Sequence, residues 1–245
     1  MPFDRAADDE VRLVHSSDLH VDDDRIAALH DGDGTVGLRR VLATARTLAA
    51  DIVLLVGDTF DNHAVASEVV ERAAQLLAQA GMPVVILPGN HDPILPDSIL
   101  CRGGFAEIEN LSILGVTHER SVLFPRHELE IWGNAHRDYH DMVPLHDPPP
   151  RRARRRIAMA HGHYEPPESW ANPLRPSWLI SDAAIAATDA DYVALGHWDR
   201  PAQVGDGRVP AFYSGSPDHA GTVNLIRLTG GKAIVTREKL AGAGE

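Results

Sequence analysis

A chain of 245 residues, 44% hydrophobic and 24% charged with a formal net charge of −12, has the balance of a water-soluble globular protein. It holds no run of the ~20 apolar residues that a membrane helix needs, its acidic start lacks a signal-peptide core, and its charge disfavours tight non-specific binding to nucleic acid, which depends on neutralising phosphates. The single Cys101 excludes an intrachain disulfide and fits a reducing cytoplasm.

Residues 1–10 read as a flexible N-terminal segment. Arg12-Leu13-Val14 opens a first buried strand that leads into Asp18-Leu19-His20. Val36 to Ala50 carries apolar residues at helical spacing. Ile52 to Val56 is a second strand, followed by Gly57-Asp58-Thr59-Phe60-Asp61-Asn62. Ser67 to Ala80 is a helix closed by Gly81, with Pro83 just beyond. Val84 to Leu87 is a third strand and leads into Gly89-Asn90-His91-Asp92. A shorter helix is expected within Ile94 to Ile108, and a strand over Leu111 to Val116.

The pattern then changes. Val122-Leu123-Phe124 and Leu129-Glu130-Ile131-Trp132 read as an antiparallel pair. Residues 133–150 form a long loop, of a length that is usually functional or mobile; its His136, His140 and His146 are taken as solvated. Arg151-Arg152-Ala153-Arg154-Arg155-Arg156 is the only concentrated basic segment. It reads as a solvated face or a subunit contact, with a distal phosphate contact as the alternative. At ~3.3 Å per residue its near end lies about 15 Å from the far end of the next strand. That strand, Ile157 to Ala160, leads into His161-Gly162-His163. Ser181 or Asp182 caps a helix to Ala187, and Tyr192 to Leu195 leads into Gly196-His197-Trp198-Asp199. Two hairpins follow, Ala202–Val204 with Val209–Tyr213 and Val223–Leu228 with Ala233–Arg237. The whole of 1–245 reads as one α/β domain, a four-layer αββα sandwich of two mixed β-sheets flanked by helices.

The polar strings share one feature: each follows a short aliphatic run. A buried sheet delivers such groups from several strand ends into one crevice. The collected donors are carboxylates, an amide and imidazoles without a thiolate, which suits two hard or borderline divalent ions. Singly, each residue is as ordinary as a turn Asp, a capping Asn or a core His. His15, among apolar neighbours, reads as a core His.

In their order, D-x-H, G-D-x-x-D-N, G-N-H-D, H-G-H and G-H-x-D, the strings resemble the calcineurin-like metallophosphoesterase superfamily. His15-Ser16-Ser17-Asp18-Leu19-His20, Leu195-Gly196-His197 and Tyr213-Ser214-Gly215-Ser216-Pro217 look most like its SbcD-type branch of DNA repair exonucleases. The resemblance runs from about Leu13 to Pro217, and that branch's capping domain is not expected in the 28 residues that follow. It implies that Asp18, His20, Asp58 and Asp199 hold one metal, and that Asp58, Asn90, His161 and His197 hold the other, with Asp58 bridging. Two such cations clamp a phosphate and lower the pKa of a bridging water, which attacks phosphorus as hydroxide. His91, beside a ligand, is expected to protonate the leaving oxygen or to stabilise the transition state. Asp61 and Asp92 are expected to orient a ligand or His91. His163 either contacts substrate phosphate or is a locally bonded loop His.

Position 199 departs from the branch pattern, which ends G-H-x-H. A carboxylate there favours manganese, iron or magnesium over zinc; the competing reading pairs Asp199 with Arg200. The expected activity is hydrolysis of phosphodiesters, with monoesters as a further substrate class. The alternatives are a DNA exonuclease working with a partner ATPase, which this sequence does not itself indicate, and a non-catalytic scaffold of the same fold.

Overall fold

The computed structural model describes residues 10–166 and 177–242. The expected flexible segment therefore lies outside the described residues, Glu10 excepted.

Strand β1 (Val11–Ser16) is followed by a short helix α1 (Asp24–Leu29), α2 (Val36–Thr47), β2 (Ile52–Val56), α3 (Ser67–Ala78) and β3 (Val84–Leu87). Next come α4 (Ile99–Arg102), a 3₁₀ turn at Phe105–Glu107, β4 (Leu111–Ile113), β5 (Ser121–Phe124) and β6 (Leu129–Gly133). After the long loop come β7 (Arg155–His161), β8 (His163–Tyr164), β9 (Leu179–Ile180), α5 (Asp182–Ala187), β10 (Tyr192–Gly196), β11 (Ala202–Val204) and β12 (Ala211–Tyr213). Helix α6 (Pro217–Ala220), β13 (Thr222–Thr229) and β14 (Lys232–Lys239) complete the described chain.

Two six-stranded sheets result, in the orders β14-β13-β1-β2-β3-β4 and β11-β12-β10-β7-β6-β5. Each has four parallel strands in a row, β1 to β4 in the first and β12, β10, β7 and β6 in the second, with antiparallel strands added outside. Alternation along the strands makes the layers. Leu13, Ile52, Leu54 and Val56 point between the sheets and pack with Ile131, Ile157, Met159 and Tyr192. Their neighbours Val14, Val53 and Leu55 point outward, onto Leu38, Val41, Leu42 and Leu77 of α2 and α3. The outer face of the second sheet, with Trp132, Ala158, Val193 and Leu195, is covered by Ile180 and Ile185. The expected two-sheet α/β sandwich is the architecture found.

His15 points between the sheets and joins them. It is fully buried, with Nδ1 2.9 Å from the Tyr192 hydroxyl and Nε2 3.2 Å from the Leu195 carbonyl. Burial lowers its pKa to about 3. The unfolded chain takes up this proton below about pH 6.5, and the folded chain does not until about pH 3. His15 therefore favours folding fully above pH 6.5, and that contribution is lost as pH falls. In His15→Gln the loss of unfolding free energy over this window should be shallower, by at most about 1.4 kcal/mol per pH unit. Urea melts at stepped pH measure it; equal slopes in the two proteins contradict it.

Several elements differ from the sequence expectation. The helix expected within 94–108 is only one turn long, because Gly103 and Gly104, the latter at φ +73°, end it. The last hairpin strand of the second sheet starts at Ala211 rather than Val209, since Pro210 has no N–H to give a ladder. Helix α1 buries no residue, so no apolar stripe announced it; the Asp23 carboxylate caps it by accepting from the Arg25 and Ile26 N–H groups.

The basic run is a solvated face only in part: Arg151, Arg152 and Arg154 are exposed. Arg155 and Arg156 are buried within β7. The Arg156 guanidinium lies 5.3 Å over the Trp132 ring and 3.7 Å from Glu130, which is fully buried and also 3.0 Å from Arg152. Arg151 pairs with Asp191 at 2.8 Å. Carboxylates on β6 and just before β10 neutralise the run at the β7 end opposite His161. No described helix is long and apolar enough to cross a membrane.

Candidate metal centre

The ligand candidates leave the same ends of the parallel strands. Asp18 and His20 follow β1, Asp58 and Asp61 follow β2, Asn90 and His91 follow β3, His161 ends β7 and His197 follows β10. Backbone hydrogen bonds zip the first two loops together: Asp18 N–H donates to Gly57, His20 N–H to Asp58 and Val21 N–H to Thr59, at 3.1, 3.0 and 2.9 Å. Asp92 ties in the third loop. Its buried carboxylate accepts from the N–H groups of Thr59, Phe60 and Gly89 at 2.9, 3.1 and 2.7 Å. Burial, reinforced by the charge on Asp58, raises the Asp92 carboxyl to about 6.

Four site residues have left-handed backbone: Asp18 at φ +55°, His20 at +43°, Asp58 at +51° and His197 at +104°. Such conformations cost non-glycine residues of order 1–3 kcal/mol each and concentrate at sites where side chains must be aimed. Gly57, at φ +81°, lies against the His161 ring, and a Cβ there would collide with it. The glycines of these strings are needed for close approach.

Among the described residues, three groups of side chains bring their donor atoms within 4.8 Å of one another: Asp18, His20 and Asp58; Asp58, His161 and His197; and His20, Asp61 and His91. Asp58 belongs to two of them. His161 Nε2 lies 3.1 Å from Asp58 Oδ2 and 3.0 Å from Asn90 Oδ1, while its Nδ1 donates to the Val56 carbonyl at 3.0 Å. His197 N–H donates to the Asp18 carboxylate at 3.0 Å, and the His161 and His197 rings are 5.3 Å apart.

The electrostatics report the same convergence. Burial by itself would lower the His161 imidazolium, yet the Asp58 carboxylate and then Asp18 raise it to about 10. Burial would raise the Asp58 carboxyl, but His161 and the His91 N–H hold it well below the usual range. Burial raises the Asp18 carboxyl, against the pull of His161 and with the push of Asp58. Burial and then the His161 charge lower His197 to about 4. Buried carboxylates that hold a proton on a fully buried imidazole provide a field suited to a multivalent cation. The donor set, oxygen and imidazole without sulfur, fits hard or borderline divalent ions.

Asp61 reaches two imidazoles. Its Oδ1 lies 3.1 Å from His20 Nδ1, which leaves Nε2 of His20 for a cation. Its backbone carbonyl lies 2.8 Å from His91 Nδ1. His91 is exposed, with its ring 4.7 Å from His20. His163, on β8, accepts from the Trp198 indole N–H at 3.1 Å and lies 6.4 Å, ring to ring, from His197.

Asp199 stands apart. It is exposed, joins none of the three groups, and lines an open pocket with Arg200 and Trp198. The chain turns at His197, Trp198 packs on Tyr213, and the next side chain faces outward. Asp199→Ala should therefore leave the bound-metal content unchanged by elemental analysis; loss of one ion would make Asp199 a ligand.

Two neighbours of the site escaped the sequence reading. His136 is fully buried rather than solvated, with Nε2 2.9 Å from the His161 carbonyl, and burial lowers it to about 4. The Trp178 ring lies 5.8 Å from His197 and 5.4 Å from His136. A lone His or Trp in an irregular segment carries no periodic signal, so nothing in the sequence marked either one. His140 and His146 are exposed, as expected.

Comparison with known proteins agrees with this geometry. The family model for calcineurin-like phosphoesterases matches residues 11–201. The SbcD component of the nuclease SbcCD of Escherichia coli strain K12 is 30% identical over 87 residues, 34% of this chain and 22% of that protein, and its O157:H7 counterpart matches equally. The matched segment thus spans about a fifth of those relatives' length. The crystal structure of TT1561 of Thermus thermophilus shares the fold, with a TM-score of 0.60 at 13% identity, covering 94% of this chain and 99% of that one. Another solved structure superposes with a TM-score of 0.62 at 14% identity over 95% of this chain and 100% of its own. The polar loops follow one another in a fixed order and meet at one end of two mixed sheets because the chain belongs to the calcineurin-like phosphoesterase family.

Proposed function

We propose that this protein is a binuclear, divalent-metal-dependent phosphodiesterase. The observation that carries the reading is the sharing of Asp58 between the Asp18–His20 group and the His161–His197 group. Asp18, His20 and Asp58 hold one cation, and Asp58, Asn90, His161 and His197 hold the other. Manganese suits these oxygen and imidazole donors, with iron, magnesium and zinc as competitors. When bound, such cations polarise the phosphoryl oxygens and supply an activated water.

The chain's own groups do the rest. Asp61 holds the His20 ring with its carboxylate and the His91 ring with its carbonyl. The carbonyl accepts only, so His91 carries a proton on Nδ1 and turns Nε2 outward. When doubly protonated, His91 donates from Nε2 to the leaving oxygen. The free Cys101 fits a reducing compartment, and we place the protein in the cytoplasm.

A second reading, a nuclease working with a partner ATPase, draws on the similarity to a nuclease component over 87 residues. Against it for the lone chain stand the net charge of −12 and the engagement of the one basic run in internal ion pairs. Duplex affinity rests on many free Lys and Arg contacts to phosphate.

Manganese-loaded protein assayed on bis-p-nitrophenyl phosphate, p-nitrophenyl phosphate and duplex DNA tests the reading. The expected result is metal-dependent hydrolysis of the diester, with weak and salt-sensitive action on DNA. Processive duplex degradation at physiological salt supports the nuclease instead. No hydrolysis of any substrate supports a non-catalytic scaffold.

A further inference from the structure

We infer that the open pocket next to the metal centre, walled by His163, Trp198 and Arg200, is a subsite for a planar ring tethered to the reacting phosphate. The inference rests on the phosphodiesterase reading only for why such a phosphate arrives there.

The pocket measures about 440 Å³ and is lined by His163, His197, Trp198, Asp199 and Arg200. His197 is common to the pocket and the ligand groups, so a phosphate held by the ligands has its substituent beside Trp198. The indole is fixed in advance. One face stacks on Tyr213, with centroids 4.2 Å apart and planes 8° from parallel. Tyr213 is itself buried, and its hydroxyl donates to the Gly162 carbonyl at 2.7 Å and accepts from the Tyr164 N–H at 2.8 Å. The indole N–H is spent on His163 Nδ1 at 3.1 Å. A ring locked at one face and at its only polar atom loses little further freedom when a second ring stacks on it.

The same hydrogen bond sets His163. Indole N–H only donates, so His163 Nδ1 accepts and the neutral ring carries its proton on Nε2. His163 thus offers the pocket a donor, and Asp199 offers it an acceptor. Arg200 is exposed and has no hydrogen-bond or ion-pair partner among the described residues. In a chain of net charge −12, a free guanidinium on the rim of the site is where a second anionic group is drawn. A stacking ring with acceptor and donor edges, a phosphate at the ligands and a further anion together describe nucleotide chemistry. Its source is either a free nucleotide or one unit of a nucleic-acid chain.

Calorimetric titration of the manganese-loaded protein with AMP, ribose 5-phosphate and adenosine 3′,5′-bisphosphate tests the inference. AMP should bind about 5- to 150-fold more tightly than ribose 5-phosphate, the range that base–aromatic stacking supplies. Trp198→Ala should bring the two within about twofold, and Trp198→Phe should keep most of the preference. Equal binding of AMP and ribose 5-phosphate by the parent overturns the subsite. So does an undiminished preference in folded Trp198→Ala. Tighter binding of the bisphosphate than of AMP, abolished in Arg200→Ala, marks a chain as the source, and equal binding marks a single nucleotide. Turnover of bis-p-nitrophenyl phosphate by the same preparations separates the two readings. A base preference without turnover sinks the phosphodiesterase and leaves the subsite standing. Turnover without a base preference sinks the subsite alone.

Discussion

His91→Ala is expected to lower phosphodiester turnover by about 10²- to 10⁴-fold, the usual contribution of a positioned general acid, while the protein keeps its full complement of bound cations. Retention of metal follows from the geometry. The backbone N–H at position 91 donates to Asp58 Oδ1 at 2.8 Å and survives the substitution. The imidazole is exposed and held by a carbonyl, so removing it leaves no buried group without a partner. Activity assays paired with elemental analysis separate the roles. Loss of a cation makes His91 a ligand, and unchanged turnover removes it from the chemistry. The defect should also shrink for substrates with better leaving groups, since p-nitrophenolate needs less protonation than an alkoxide.

Asp58→Asn should cost binding at both cation positions, not one. Asp58 is buried, contributes to two donor groups, and is the carboxylate whose field raises His161. The amide keeps the size and loses the charge. Metal affinity should fall by more than the ~10- to 100-fold that follows loss of a group merely supporting a ligand, and manganese-dependent turnover should fall with it. Asp18→Asn is the contrast, because Asp18 belongs to one group only. If Asp58→Asn still binds two ions, the bridging assignment fails.

How much of this is legible in the sequence depends on the kind of signal each element carries. The strands that deliver ligands are short aliphatic runs stopped by glycine or aspartate, and Ile52–Val56 and Val84–Leu87 match their sequence reading residue for residue. Helices α2 and α3 end three and two residues before the expected Ala50 and Ala80, within the ordinary fraying of helix ends. The convergence of Asp18, Asp58 and His161 is legible because the motifs recur in a known order. Asp199 departs from its sequence reading for a geometric reason. The resemblance puts it in the ligand set beside His197, but the strand ends at Gly196 and the chain turns at His197, with its positive φ, and leaves Asp199 exposed. The arginine run misleads because its partners Glu130 and Asp191 lie about 22 and 35 positions from Arg152 and Arg156, a distance no local pattern spans. The stacked Trp198 and Tyr213 likewise come together only when β10 and β12 pair.

One shared carboxylate, Asp58, is proposed to organise two cations for phosphodiester hydrolysis. The most direct test is to titrate metal-free protein with manganese while following hydrolysis of bis-p-nitrophenyl phosphate. Almost no activity is expected before the first equivalent is bound, then a rise that saturates at two equivalents per chain. Full activity at one equivalent, or two bound equivalents without hydrolysis, would contradict it.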